Sequence, residues 1–345
     1  MTLVSNLVLP PLSLLYRAVT QVRATAYEKG LFHISRLDAP VISVGNLTVG
    51  GTGKTPFVEW LCRLLADQGK RVCVLTRGYG RDNPGARVLV SDGSTIRVTA
   101  AEAGDEPLLL AQNLKGLAAV ISDADRASGG KWAVETLGTE VFVLDDGFQH
   151  LQLARDLNIL LIDVANPWGG GHVLPYGRLR EPRSGLSRAD CIVLTRVEQD
   201  HDLESLKKEI RRFNETSPIF NSTMKVTSVS RLGSNEQEDL SKAAQPVAAF
   251  CGLANPQSFF DQLRDAGFQS VLNKAFSDHH WYVQAEIDSL CKKTKESGAC
   301  SLITTAKDAV KLQTLNFDLP CYVLHIEISM HDETGLRQLI NSAIR

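Results

Sequence analysis

"PVISVGNLTVGGTGKTPFVEWLCRLLADQG", residues 40–69, decides the fold class of this chain. Val41 to Val44 is a β-branched run, Gly50, Gly51 and Gly53 let the backbone curl tightly, and the residues from Pro56 continue at helical spacing. A strand, a glycine loop and a helix in that order make a phosphate-holding loop, because the N–H groups at the helix start face an anion. Thr48, Val49, Gly50, Gly51, Thr52, Gly53, Lys54 and Thr55 are the expected nucleotide contacts. Lys54 would supply a point charge to the outer phosphates and Thr55 a hydroxyl to Mg²⁺. The first glycine of the G-x-x-x-x-G-K-[ST] pattern falls on Thr48, so the match is to "GGTGKT". The Lys-Thr pair argues against the bland alternative, a glycine-rich turn that binds nothing.

Composition bounds the rest. The chain has 345 residues, 43% of them hydrophobic and 22% charged, which suits a globular protein with a sizeable core and a length typical of two domains. A formal net charge of −2 carries no general nucleic-acid signal. Seven cysteines are scattered through apolar runs with no C-x-x-C pair, so neither a zinc site nor a disulfide framework is expected, and a reducing, cytosolic environment fits.

The N-terminus departs from this soluble character. Its uncharged run, Met1 to Tyr16, is too short to span a bilayer and is interrupted by Pro10-Pro11. Beyond the prolines Leu12, Leu15, Val19, Val22 and Ala26 form a stripe at helical spacing, flanked by Arg17, Arg23 and Lys29. That pattern suits a helix lying in a membrane interface, and equally an amphipathic helix packed on the domain.

Along the chain "PVISVG", "RVCVLTRG", "LAAVIS", "EVFVLDDG", "LNILLIDV" and "DCIVLTRV" alternate with helical patterns. The alternation predicts an α/β fold, a parallel sheet with helices on both faces. "ARVLVSDGSTIRVTA", with its Asp92-Gly93 turn, reads as a hairpin inserted near residues 86–99. Residues 198–213 read as a solvated charged helix and 231–245 as a polar linker. The expected organisation is an N-terminal amphipathic segment (1–37), a P-loop core domain (38–230) and a smaller C-terminal α/β domain (246–345).

"EVFVLDDGFQH" carries the second chemical signal. An apolar strand ending in Asp145-Asp146 sets two carboxylates at the C-terminal edge of a parallel sheet, where ligands of such folds bind. A phosphoryl-transfer site needs an acid there to hold Mg²⁺ or its waters.

Taken in order, "VISVGNLTVGGTGKTP", "LTRGYGR", "EAGDEP", "LDDGFQH", "RDLNILLID", "LPYGRLREP", "SDHHWY" and "TTAKDAVKL" closely resemble one family, the tetraacyldisaccharide 4′-kinases of lipid A biosynthesis. The resemblance implies a P-loop kinase that uses ATP and Mg²⁺ to phosphorylate the 4′-hydroxyl of an acylated glucosamine disaccharide 1-phosphate, with no nucleic acid and no obligate protein partner. It also implies a peripheral position on the cytoplasmic face of the bacterial inner membrane. Carried over residue by residue, it makes Lys54 and Thr55 nucleotide and metal contacts, and Asp145 and Asp146 the acidic edge of the metal site. Asp105 of "EAGDEP" and His279 of "SDHH" become the pair that activates the acceptor hydroxyl, with catalytic roles for Lys54 and Asp146. Arg77, Arg126 and Arg180 are expected on anionic groups, since guanidinium forks suit phosphate; Arg81 is expected there or in a solvated basic rim. Two departures from the family pattern stand out: Arg178 replaces a neutral residue in "PYGRLREP", and Ser277 replaces a proline in "FSDHH".

The rival class is a P-loop ATPase or GTPase switch acting on a protein partner. Such proteins with "KGGTGKT" loops carry a lysine where this chain has Val49, and they have no use for the "GDEP" and "SDHH" elements.

Overall fold

The computed structural model describes residues 3–198, 202–234 and 236–345, with side chains of the first helix from Val8 onward. Residues 1–2 of the expected N-terminal segment, 199–201 of the charged stretch and 235 of the polar stretch lie outside the described residues.

The six apolar runs of the sequence are the strands β1 (Val41–Asn46), β2 (Val72–Thr76), β4 (Ala118–Ser122), β5 (Val141–Asp145), β6 (Leu157–Asp163) and β7 (Cys191–Thr195). Each is buried along its whole length, as a parallel sheet covered on both faces requires. Successive side chains feed opposite cores. Ile42, Val44, Val141 and Val143 pack with Phe57, Leu61 and Leu65 of one layer, while Val41, Phe142 and Leu144 pack with Ala133 and Leu153 of the other.

Helices α1 (Leu3–Glu28), α2 (Lys54–Asp67), α3 (Ala100–Ala103), α4 (Asp105–Asn113), α5 (Arg126–Leu137) and α6 (Leu203–Arg211) belong to this half of the chain. In α6 the charges face outward and only Leu206 and Ile210 are buried. The expected hairpin is reduced. Its first arm, β3 (Val88–Ser91), pairs antiparallel with β4, whereas its second arm touches it through one bridge, Ser91 to Ile96. Asp92 accepts from the Ser94 and Thr95 backbone N–H groups in the turn between them.

Beyond residue 218 come β8 (Ile219–Arg231), β9 (Gln237–Glu238), β10 (Val247–Cys251), β11 (Ser270–Ala275), β12 (Ser301–Thr305) and β13 (Cys321–Met330), with α7 (Pro256–Asp265), α8 (Gln284–Glu296), α9 (Ala306–Leu312) and α10 (Glu333–Ala343). The described strands form one sheet in the order β11-β10-β12-β13-β8-β7-β6-β1-β5-β2-β4-β3, and β9 pairs with β8. Strand β8 joins the halves. Its residues 219–221 run parallel to β7, and residues 222–231 pair antiparallel with β13. Part of the stretch read as a polar linker is therefore ordered against β8.

Helix α1 runs through Pro10 and Pro11, where the sequence reading expects a break. One side is held to the body: Ser13 Oγ donates to the Val173 carbonyl at 2.8 Å and an Arg23 Nη1 to the Gln149 carbonyl at 3.2 Å. Leu12, Leu14, Leu15, Val19 and Val22 face outward. No described helix is long and apolar enough to cross a membrane.

Candidate active site

The glycine loop between β1 and α2 stands over the carboxyl ends of β1 and β5. Gly50 (φ 117°) and Gly53 (φ 81°) adopt left-handed conformations that disfavour a side chain, and Gly53 leads directly into α2. A Cβ on Gly53 would strike Met224, and one on Gly50 would come within 2.7 Å of the Arg178 guanidinium. The loop is braced by side chains that sequence reasoning did not single out. Asn46 accepts from Lys54 Nζ at 3.3 Å and donates to Thr52 Oγ1 at 2.9 Å. Thr195 Oγ1 donates to the Thr52 carbonyl at 3.0 Å, and Arg196 donates to the Gly51 carbonyl at 2.7 Å while pairing with Asp163. Arg178, where the family pattern has a neutral residue, donates to the Val49 carbonyl at 3.3 Å.

A cleft of about 1830 Å³ opens beside this loop. Its wall includes Val49 to Thr55, Arg77, Asp105, Arg126, Asp145, Asp146, Arg180 and His279, so most of the sequence-predicted residues share one cavity. Thr48 does not line it; buried, it bridges to Leu179. Arg81 corrects the sequence reading: it is neither a cleft arginine nor a solvated rim. Its guanidinium is buried and donates to the Ser122 and Pro84 carbonyls, fastening the loop after β2.

Two carboxylates end β5 in contrasting states. Burial, aided by the charges of Glu106 and Asp146, pushes Asp145 up to about 7 against the pull of Lys54 and Arg126; Thr76 donates to it at 3.2 Å. Asp146 (φ 50°) is also penalised by burial, but Lys54 at 3.5 Å and Arg180 at 2.6 Å outweigh that and hold it well below the usual carboxylate range. Its Oδ1 is buried, with the Lys54 ammonium at 3.5 Å as an ion-pair partner and no hydrogen bond. Thr55, Asp145 and Asp146 share one cleft wall, and carboxylate and hydroxyl oxygens are the hard donors Mg²⁺ prefers. Among the described residues no cluster of three His, Cys, Asp or Glu has metal-holding geometry. Arg126 is buried, with Nη1 3.2 Å from His150 Nδ1 and Nη2 3.5 Å from the Asp145 carbonyl. Arg77 is exposed on the cleft wall.

Asp105 and His279 meet across the cleft. Asp105 opens α4 rather than sitting in a loop, behind a capping box in which Thr99 and Glu102 satisfy each other's orphan groups. His279 Nδ1 lies 2.9 Å from Asp105 Oδ2 and 3.1 Å from Oδ1. Burial alone would raise the Asp105 carboxyl; the His279 bond and the Lys307 and Lys311 ammoniums outweigh it and hold it down to about 2. That same bond raises the His279 imidazole above its ordinary value, against burial and Lys307. His279 has φ 56°, so the loop carrying it is shaped tightly. Ser277, where the family pattern has proline, ties that loop through its hydroxyl, 3.4 Å from His280 Nδ1. His280 in turn pairs with Glu286 at 2.9 Å and stacks on Phe276.

The motif "TTAKDAVKL" also carries Lys307 and Lys311, to which the sequence alone assigns no role. Two lysines four apart on a helix share a face, which was the available signal.

A family model described as tetraacyldisaccharide-1-P 4′-kinase matches residues 5–345. A curated tetraacyldisaccharide 4′-kinase from Geobacter metallireducens is 43% identical over 335 residues, covering 96% of this chain and 96% of that one. Its counterpart from Desulfotalea psychrophila is 40% identical over 314 residues, covering 90% and 89%. A solved structure described as the "apo" form of LpxK from Aquifex aeolicus in complex with ATP aligns with a TM-score of 0.78 at 36% identity, covering 97% of this chain and 98% of that chain.

Proposed function

The chain belongs to the tetraacyldisaccharide-1-phosphate 4′-kinase family, a phosphotransferase acting on a lipid A precursor with ATP as donor, and we propose how its cleft divides that work. Lys54 and the loop N–H groups hold the outer phosphates, and Arg180, Arg126 and Arg77 meet anionic groups of nucleotide or substrate. Thr55, Asp145 and Asp146 would hold Mg²⁺, which neutralises charge on the phosphate oxygens when bound.

On the acceptor side His279 Nε2 takes the proton of the sugar 4′-hydroxyl while Asp105 holds Nδ1. The hydroxyl oxygen forms its bond to the γ-phosphorus as the bond from that phosphorus to the bridging oxygen breaks. ADP leaves with that oxygen, and the proton on His279 passes to solvent. Phosphoryl transfer needs positioning and charge stabilisation more than covalent help, so converging the two halves on one acceptor is the main demand.

The observation that carries this reading is the 2.9 Å contact between Asp105 and His279, 174 residues apart, in the same cleft as Lys54. A partner-binding switch has no need of such a pair. The test is transfer of labelled phosphate from MgATP to tetraacyldisaccharide 1-phosphate by the purified chain and by His279→Ala. Full turnover in the variant would remove His279 from the chemistry.

The same reading includes peripheral association with the cytoplasmic face of the inner membrane, where ATP and an acylated sugar meet. It is supported by the outward apolar side chains of α1.

A further inference from the structure

Helix α9 presents two ammonium groups one turn apart to the Asp105–His279 pair, one at each end of it. Lys311 is fully buried, 3.3 Å from Asp105 Oδ2 and 3.6 Å from Asp308 Oδ1. Asp308 itself accepts from the Gly252 N–H at 3.0 Å, the Tyr282 hydroxyl at 2.9 Å and Thr305 Oγ1 at 2.7 Å, so the carboxylate beside Lys311 is held from three sides. At the other end Lys307 Nζ lies 2.9 Å from Glu106 Oε1, 3.5 Å from Asp278 Oδ1 and 3.3 Å from His279 Nε2.

An ammonium has three N–H bonds and accepts nothing. Three acceptors surround Lys307, so Nε2 of His279 must offer its lone pair. The Asp105 carboxylate likewise only accepts, so Nδ1 must carry the proton. Both neighbours select the same tautomer of the neutral imidazole. It is the tautomer a base needs, with the free lone pair on the nitrogen away from Asp105.

We propose that Lys307 and Lys311 are positioning residues for the acceptor base: Lys311 holds the Asp105 carboxylate in place, and Lys307 caps Nε2 until the sugar hydroxyl displaces it. This rests on the dyad assigned above. Lys307 then selects the tautomer, opposes a second proton on the waiting imidazole and turns aside to Glu106 and Asp278 when the acceptor arrives.

The charges facing His279 fix the sign of the expected effect. They are Asp105 and Glu106 from α4, Lys307 and Lys311 from α9, and Asp278 from its own loop; the Tyr79 ring packs at 5.3 Å. The Lys307 ammonium repels a proton on His279, so removing it makes that proton more favourable.

The experiment is the pH dependence of kcat/KM for the full chain, with MgATP and tetraacyldisaccharide 1-phosphate, in Lys307→Met, Lys307→Arg and His279→Ala. In Lys307→Met the acidic limb moves to higher pH, so the loss at about pH 6 exceeds the loss at about pH 8.5 by roughly fivefold or more. Lys307→Arg, which keeps the charge, restores the limb. A readout independent of turnover is the ¹⁵N resonance of His279. It should report a proton on Nδ1 in the unaltered chain and titrate at higher pH in Lys307→Met. A parallel profile with an unmoved resonance overturns the inference. If His279→Ala retains full turnover, the dyad itself falls; if it is crippled while the Lys307→Met limb stays in place, only the role of Lys307 falls.

Discussion

Asn46 accepts a hydrogen bond from Lys54 Nζ at 3.3 Å, and its amide donates to Thr52 Oγ1 at 2.9 Å. One buried side chain at the end of β1 thus fastens both the point charge of the glycine loop and the turn before it. A hydrogen bond to a charged group contributes roughly 1.5–3 kcal/mol, so Asn46→Ala should raise the KM for ATP by about tenfold or more with the fold retained. Calorimetric titration with ATP checks this; an unchanged affinity would mean that Lys54 is positioned by other groups.

Lys54→Ala should abolish phosphoryl transfer and leave the fold intact. Asp146 keeps Arg180 at 2.6 Å, so no buried carboxylate is stranded by the change. Melting within a few degrees of the unaltered chain together with lost turnover is the expected pair of results. Retained turnover would remove the loop from the chemistry.

Asp105→Asn and His279→Ala should each lower kcat by roughly 10² to 10⁴, with little change in the KM for ATP, because general-base help is of that size. The pair acts as a unit across a 2.9 Å contact, so the double variant should be hardly slower than the worse single one. Losses that multiply would show two independent contributions.

His150 makes a prediction about acid stability. Burial, and then the charges of Arg126, Arg155 and Arg23, push its imidazole from an ordinary 6.5 down to about 3. The unfolded chain takes up that proton as pH falls below 6.5, whereas the folded chain does not until about 3. The stability linked to this neutral side chain is therefore complete above 6.5 and lost progressively towards 3. His150→Gln should flatten the fall in melting temperature across that window. Equal slopes for the two proteins would assign the acid sensitivity to another group.

Leu15, Val19 and Val22 are exposed on α1, at 62%, 58% and 71%, so polar replacements there leave its contacts with the body untouched. The triple change to Gln should lower co-sedimentation with anionic vesicles while activity on detergent-dispersed substrate stays near that of the unaltered chain. Full co-sedimentation of the variant would place the lipid contact elsewhere.

The strand, glycine loop and helix from residue 40 to 69 were legible in the sequence, as were the alternating strands and the acid pair closing β5. Each is a local matter. Backbone freedom at glycine, the period of apolar residues and the position of a charge at a strand end are all written within a dozen residues. The inward course of Arg81, the bracing of the loop by Asn46 and Arg196, and the lysines around His279 were not legible that way. The Asp105–His279 pairing was expected from family resemblance rather than from any local pattern. These contacts depend on β8 carrying one sheet across both halves, which brings α9 against α4. Lys311 lies 206 residues from Asp105, and whether a lysine there is solvated or buried on a carboxylate is decided by packing between elements, a long-range balance of burial and charge that no neighbouring residue encodes.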